Sequence, residues 1–392
     1  MMKRLIADIW HKECAFLFRC KPSRAFFMCV YPFIIMGVLW TIFWGESLTQ
    51  IPLAVVDESQ GYYSRELVRA LQASQFLNVS LFPSKRSAQK ALSGGRVFGV
   101  LAIDADYDKN LLKRTGAQIS AWDNNEYLLV GGNLNKGISG VVSALNAKYQ
   151  RNNLAGLGVP AVAWQSISAP VQISETALYN PSVNYMYFLG LGLLPAVLQL
   201  FICLSVCYSF LWEIKSFHIK HLQTDFSVHP YGASAAKMMF YIPVYFAVML
   251  CLLGILIFRF GLPVQGSFLR VCAGTLACIF LTASTALLIA GITNNLRLAM
   301  SVCACYAAPA FAYYGVSFPV DSMPFLARCW AELMPGTHLN RIFINEFLRG
   351  ANAAGTWGEI GFMVLSGAVL FWLGTKGYAR WTQNDKYWGP KL

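Results

Sequence analysis

Six stretches of about 20 apolar residues, nearly free of charge, constrain this chain more than any other feature. They lie at roughly 25–44, 185–212, 238–258, 271–292, 298–318 and 356–375. Each is long enough to cross a hydrocarbon layer as a helix. With 56% hydrophobic and only 13% charged residues, the chain is a membrane protein rather than a soluble one. The first run, "AFFMCVYPFIIMGVLWTIFW", exceeds the length of a signal-peptide core and reads as a retained anchor. Pro32, Pro195, Pro243 and Pro309 fall inside the runs, which implies kinks satisfied by neighbouring helices in a packed bundle.

Orientation follows from lysine and arginine near the ends of the runs. Lys3, Arg4, Lys12, Arg19, Lys21 and Arg24 precede the first; Lys215, Lys220 and Lys237 lie between the second and third. Arg297 separates the fourth and fifth, and Lys376, Arg380, Lys386 and Lys391 follow the sixth. Six alternating spans put all these segments on one side, so both termini are expected in the cytoplasm. The net charge of +12 is then an orientation signal, and nucleic acid is not an expected partner. Membrane lipid is.

Residues 45–182 are of a different character, with 12 basic and 10 acidic residues in near balance and none of the 11 cysteines. An exported domain without cysteine needs no disulfide framework. "IPLAVVDES", "FLNVSLF" and "VFGVLAI" read as strands, alternating with helices in "YYSRELVRALQAS" and "SKRSAQKALSGG", the latter capped by Ser84. A longer helix is expected over about 128–155. The domain is α/β with a mostly parallel sheet. The fold class is therefore an α-helical polytopic membrane protein of six transmembrane helices with an inserted extracytoplasmic α/β domain. Its "GGNLNKG" lacks phosphate-loop spacing. Cys203, Cys207, Cys303 and Cys305 fall in spans without histidine or carboxylate nearby and read as packing residues.

At the N-terminus, residues 1–24 form an amphipathic helix on the cytoplasmic surface. Leu5, Ile6, Ile9, Trp10, Phe16 and Leu17 share one arc; Arg4, Asp8, Lys12 and Arg19 lie outside it. Glu13 lands in the middle of the apolar arc. Two readings stand: a carboxylate reaching the headgroups, or one aimed at a protein partner. Residues 213–237 form the longest internal cytoplasmic segment, a helical centre ending at Pro230 and Gly232. It is either a stiff coupling element or a solvated connector, and its histidines lack zinc spacing. Residues 376–392 form a basic tail.

No span carries an ionisable residue well inside it, which weakens an ion-coupled mechanism. The sequence has no Walker A, H-E-x-x-H or G-x-S-x-G pattern, so no metal, cofactor or catalytic residue is expected in this chain.

Several stretches together resemble the permease subunits of type-2 ATP-binding-cassette exporters with a large domain between spans 1 and 2. They are "HKE" near the N-terminus, "IPLAVVDES…SRELVRAL", "SGGRVFGVLAI", "LYNPSVNYMYFLGLGLLPAVLQL" and "FPVDSMP…MPGTH". The resemblance implies export of a small or amphipathic molecule, driven by a separate cytoplasmic ATPase that holds ATP and magnesium. It also implies a bacterial inner membrane as the location and a second permease chain, identical or related, and admits a periplasmic adaptor protein. Glu13, Glu213, Lys215, His218, His221 and Asp225 would couple to the ATPase. "EIKSFHIKHL" departs from the family there in lacking Gly-Thr. Asn180, Pro181, Asn184 and Tyr185 would shape the approach to span 2. Residues 319–351 would dip back as two short helices and close the outer end of the pathway, through Pro319, Pro324, Pro335, Gly336, Thr337 and His338. Pro335 and Gly336 would break the helix there. Two readings compete: a surface hairpin without a gating role, and, for the whole chain, a non-transporting envelope scaffold or receptor whose domain binds a partner.

Overall fold

The computed structural model describes residues 2–15, 22–42, 44, 49–113, 115–124, 128–157, 179–180, 184–215, 229–350, 353–383 and 387. His218, His221, Asp225 and Pro181 lie outside them. The chain divides into two units, residues 47–176 and the remainder.

In the larger unit six helices are long and apolar enough to cross a membrane: Pro22–Ile42, Met186–Lys215, Pro230–Phe260, Phe268–Thr293, Leu296–Tyr313 and Ala353–Thr382, here spans 1 to 6. Each deviation from a straight helix has a local cause. Span 1 turns at Val30, beside Pro32, which cannot donate to the preceding turn. Span 2 begins as a π-turn, Met186–Gly190, just ahead of the turn that Pro195 interrupts. Trp40 of span 1 donates to the Gly190 carbonyl there, at 3.4 Å. Span 5 breaks before Pro309, with one further turn at Ala310–Tyr313. Spans 4 and 6 approach backbone to backbone, since a Cβ on Gly291 would stand 2.6 Å from the Gly374 carbonyl oxygen, and one on Gly377 2.7 Å from that of Gly291. Without a hydrophobic driving force inside a bilayer, such small-residue faces are what allow close helix packing.

Several boundaries differ from the sequence reading. Pro230 does not end the 213–237 segment; it occupies the first turn of span 3, where its missing N–H costs nothing. Residues 230–237 are thus helical, and 213–215 finish span 2. The basic tail is shorter than 376–392, because span 6 continues as helix to Thr382. Ionisable residues do stand near the span ends: Lys237 sits about two turns inside span 3, Arg270 in the first turn of span 4 and Glu359 about two turns inside span 6.

The extracytoplasmic unit is a four-stranded sheet ordered β2-β1-β3-β4, with β1 Ile51–Asp57, β2 Leu77–Leu81, β3 Gly99–Ile103 and β4 Ile119–Asp123. β1 runs parallel to both neighbours and β4 antiparallel to β3. Alternation along β1 and β3 sorts the core into two layers. Leu53, Val55, Leu101 and Ile103 face helices Tyr62–Gln72 and Leu128–Gly156; Ala54, Val56, Val100 and Ala102 face helix Lys85–Ser93. Ser84 caps that last helix by accepting from Ser87 N. Asp108 caps Tyr62–Gln72 from outside, accepting from the backbone of Tyr63 (2.7 Å) and Ser64 (3.2 Å). Gly61 leaves room for that carboxylate, which a side chain there would displace.

Candidate functional site

Two polar centres stand on span 2, the second of them at Gln199, near its middle. The first is at its C-terminal end and joins three elements. The helix Met2–Cys14 buries Ile9 against the bundle, and Trp10 donates to the Ala236 carbonyl of span 3 at 3.0 Å. This brings Glu13, only 3% exposed, to Lys237 of span 3, whose Nζ lies 3.0 Å from its carboxylate. Tyr241 donates to Glu13 at 2.7 Å and Ser209 of span 2 at 3.2 Å. Lys237 also pairs with Glu213 of span 2 at 2.6 Å, close enough for an ion pair though not aligned as a hydrogen bond. It donates to the Ser209 carbonyl at 3.1 Å. The ammonium is 1% exposed and held by carboxylates from two directions, which is the condition for keeping charge out of water.

Glu13 therefore neither reaches headgroups nor presents itself at the surface. Its place in the apolar arc is explained by an intramolecular partner. Lys215, grouped with it as a coupling residue, donates to the Tyr387 carbonyl near the C-terminus at 3.2 Å.

The second centre involves the hairpin between spans 5 and 6. A 3-10 turn, Val320–Ser322, leads to helix Phe325–Glu332, then to Pro335–Phe343, a π-turn Ile344–Arg349 and Gly350 in the left-handed region. Pro319 and Pro324 stand immediately before the first two of these. The helix breaks at Leu333 and Met334, directly ahead of Pro335. Met334 caps the second helix and Pro335 opens it, while Gly336 is needed for space, since a Cβ there would overlap the ring of Tyr314. The Tyr314 hydroxyl donates to Gln199 Oε1 at 2.7 Å, and Gly336 N donates to the same oxygen at 3.2 Å. Asn340 Nδ2 donates to the Tyr314 carbonyl at 3.1 Å. One glutamine of span 2 thus receives both span 5's terminal turn and the hairpin.

Thr337 and His338 are also engaged rather than free. Thr337 donates to the Ala331 carbonyl at 2.7 Å. His338 Nδ1 lies 2.5 Å from Glu359 of span 6 and Nε2 3.0 Å from the Glu332 carbonyl. Arg341 pairs with Glu332 and, at 3.3 Å, with Glu359. Past these, the fully buried Glu346 accepts from Arg270 and Ser267 before span 4 and from Thr356 of span 6, each at 2.7–2.8 Å. Burial pushes its pKa up, but these donors outweigh it and hold the carboxyl below its usual range.

At the approach to span 2, Asn180 and Asn184 form a cap. Asn180 Oδ1 accepts from Asn184 N at 2.9 Å, and Asn184 Oδ1 from Met186 N at 2.8 Å. Tyr185 follows, its hydroxyl buried. Among the described residues, no cluster of histidine, cysteine, aspartate or glutamate is placed to hold a metal ion.

The sequence reading missed Gln199, Tyr314 and Lys237. Screening the spans for amides as well as charges would have found Gln199 in "LLPAVLQLFICL". No sequence signal marks Tyr314.

Residues 23–376 match the ABC-2 family transporter proteins. The chain is also 21% identical over 341 residues to ABC transporter G family member 20 of Dictyostelium discoideum, which covers 84% of this chain and 44% of that protein. The chain spans less than half the length of that relative. With the family match running through all six spans and the inserted domain, the chain belongs to the ABC-2 family of membrane transporter permeases.

Proposed function

We propose that this chain is the membrane half of an ATP-driven exporter, moving a small or amphipathic molecule out of the cytoplasm with both termini on the cytoplasmic side. A separate ATPase subunit supplies hydrolysis of magnesium-bound ATP. A second permease chain completes the pathway, and an adaptor on the far side is a further partner. One observation carries this reading. Span 2 bears Glu213 and Ser209 at its C-terminal end, tied through Lys237 and Glu13 to the N-terminal helix, and Gln199 near its middle, tied to the hairpin. A push on the N-terminal helix is thereby transmitted through a rigid element to the hairpin that closes the pathway. Such coupling requires a two-state element biased from both sites, and span 2, held by polar groups at its C-terminal end and near its middle, is the candidate for that element.

The test is co-expression with a candidate ATP-binding-cassette ATPase subunit, followed by purification and assay in vesicles. Copurification and substrate-stimulated hydrolysis are expected. Glu13→Gln is expected to lower stimulated hydrolysis while leaving membrane insertion intact. Export that continues unchanged after the ATPase is deleted would overturn the reading.

A further inference from the structure

A cavity of about 410 Å³ opens beside the buried charge centre, between spans 1, 2, 3 and 5. Phe27, Met28, Leu204 and Met300 give it an apolar wall. Three hydroxyls on its lining, those of Ser205, Ser209 and Tyr241, are already committed. Ser209 and Tyr241 donate to Glu13, and Ser205 shares a hydrogen bond with Tyr245 at 2.6 Å. Glu13 lies behind those hydroxyls, and Lys237 holds it.

Arg24 supplies the cation of the lining. Its guanidinium carbon stands 3.9 Å from the centroid of the Tyr208 ring and 4.7 Å from that of Trp212, and the side chain donates to the Tyr208 hydroxyl. The two rings stack on each other with their centroids 5.6 Å apart. The guanidinium is therefore held against these rings before any ligand arrives. A guanidinium only donates, and its fork matches the paired oxygens of an oxyanion. A few hundred Å³ with an apolar wall and one oriented charge is the usual make-up of a small-molecule site.

We propose that this cavity binds the head of an anionic amphiphile, a carboxylate, sulfonate or phosphate, with Arg24 on its oxygens and the tail along Phe27, Met28, Leu204 and Met300. That the amphiphile is cargo rests on the export reading; that it binds does not. The head chemistry is shared by soluble amphiphiles and by the anionic lipids of the bilayer.

The full chain, purified without any ATPase into nanodiscs of zwitterionic lipid, is titrated with a dansyl-labelled fatty acid and with a dansyl trimethylammonium amphiphile of equal length. The fatty acid is expected to bind on the order of tenfold more tightly, as a charge-assisted pair allows. Arg24→Gln should erase that preference and Arg24→Lys keep part of it. Met300→Trp, which fills the cavity from span 5 and leaves Arg24 in place, should weaken both probes. Discs containing phosphatidylglycerol distinguish the sources: competition identifies bilayer lipid as a ligand, and undiminished binding identifies the soluble amphiphile. Equal binding of both probes to the unaltered chain, or a preference that survives Arg24→Gln, overturns the proposal. Export that continues unchanged after the ATPase is deleted, with the charge preference intact, strikes the export reading alone.

Discussion

Gly336 and Tyr314 meet so closely that the ring of one occupies the space where a Cβ of the other would stand, and the Gly336 N–H and the Tyr314 hydroxyl share a single acceptor, Gln199 Oε1. The contact joins the hairpin to spans 2 and 5 without a charged group. Its tolerance of substitution is decided by volume and not by helix propensity.

The hairpin can therefore be probed by separating two substitutions that a helix-break argument would combine. Pro335→Ala removes a residue already suited to the first turn and is expected to be nearly silent. Gly336→Ala forces the Tyr314 ring aside, an overpacking that costs about 1–3 kcal/mol. The measurement is solvent access to a cysteine at Ala310, which is fully buried beside this contact. Access should rise for Gly336→Ala alone. Equal effects from the two substitutions would return the role to backbone conformation.

The charge centre makes a prediction about which partner matters most. Lys237→Met leaves two buried carboxylates facing each other across the former ammonium, and breaking such a pair costs about 3–5 kcal/mol. Glu13→Gln keeps an acceptor for Tyr241 and Ser209 and leaves Lys237 paired with Glu213. Thermal unfolding in detergent should show the lysine variant markedly weaker than the glutamine variant. Replacing Glu13, Glu213 and Lys237 together by Gln, Gln and Met should restore part of the loss, since no uncompensated charge remains.

In the extracytoplasmic domain, Lys148 at 2.5 Å and Tyr149 at 2.9 Å both donate to Glu66, and the lysine bond is the main cause of its lowered pKa. A carboxyl whose pKa is depressed on folding contributes stability above its unfolded value and loses it as pH falls through the folded one. Glu66→Gln should therefore render the domain more sensitive to limited proteolysis at neutral pH. The difference from the unaltered chain should shrink as the pH falls below the ordinary carboxylate range. A difference that stays constant with pH would assign the effect to packing around Tyr149.

Topology is checked with single cysteines in a background without the native ones. Ser93→Cys, exposed at the end of a helix of the inserted domain, should label with an impermeant thiol reagent added outside. Tyr231→Cys, exposed at the start of span 3, should label only after the membrane is opened. The reverse pattern would place the N-terminal helix on the wrong side for an ATPase.

What the sequence determined was everything that depends on local pattern. Unbroken apolar runs place six spans, because removing backbone polar groups from water leaves a helix as the available answer. Short continuous apolar runs in "IPLAVVD" and "VFGVLAI" place two buried sheet strands, and Ser84 marks a helix start. Glu13 was visible as an anomaly, a carboxylate on an apolar arc, but its resolution was not. Lys237 reads along the chain as one more basic residue near a span end; only the packing of the N-terminal helix against spans 2 and 3 makes it a buried counter-charge. Gly336 looks like a helix breaker beside a proline, and its actual constraint comes from a tyrosine on another element. Gln199 reads as one tolerated amide among leucines until Tyr314 and Gly336 converge on it. Hydropathy and periodicity report what each residue gains by leaving water, whereas the partner of a buried polar group is set by which helices pack together, and that exists only in the tertiary structure.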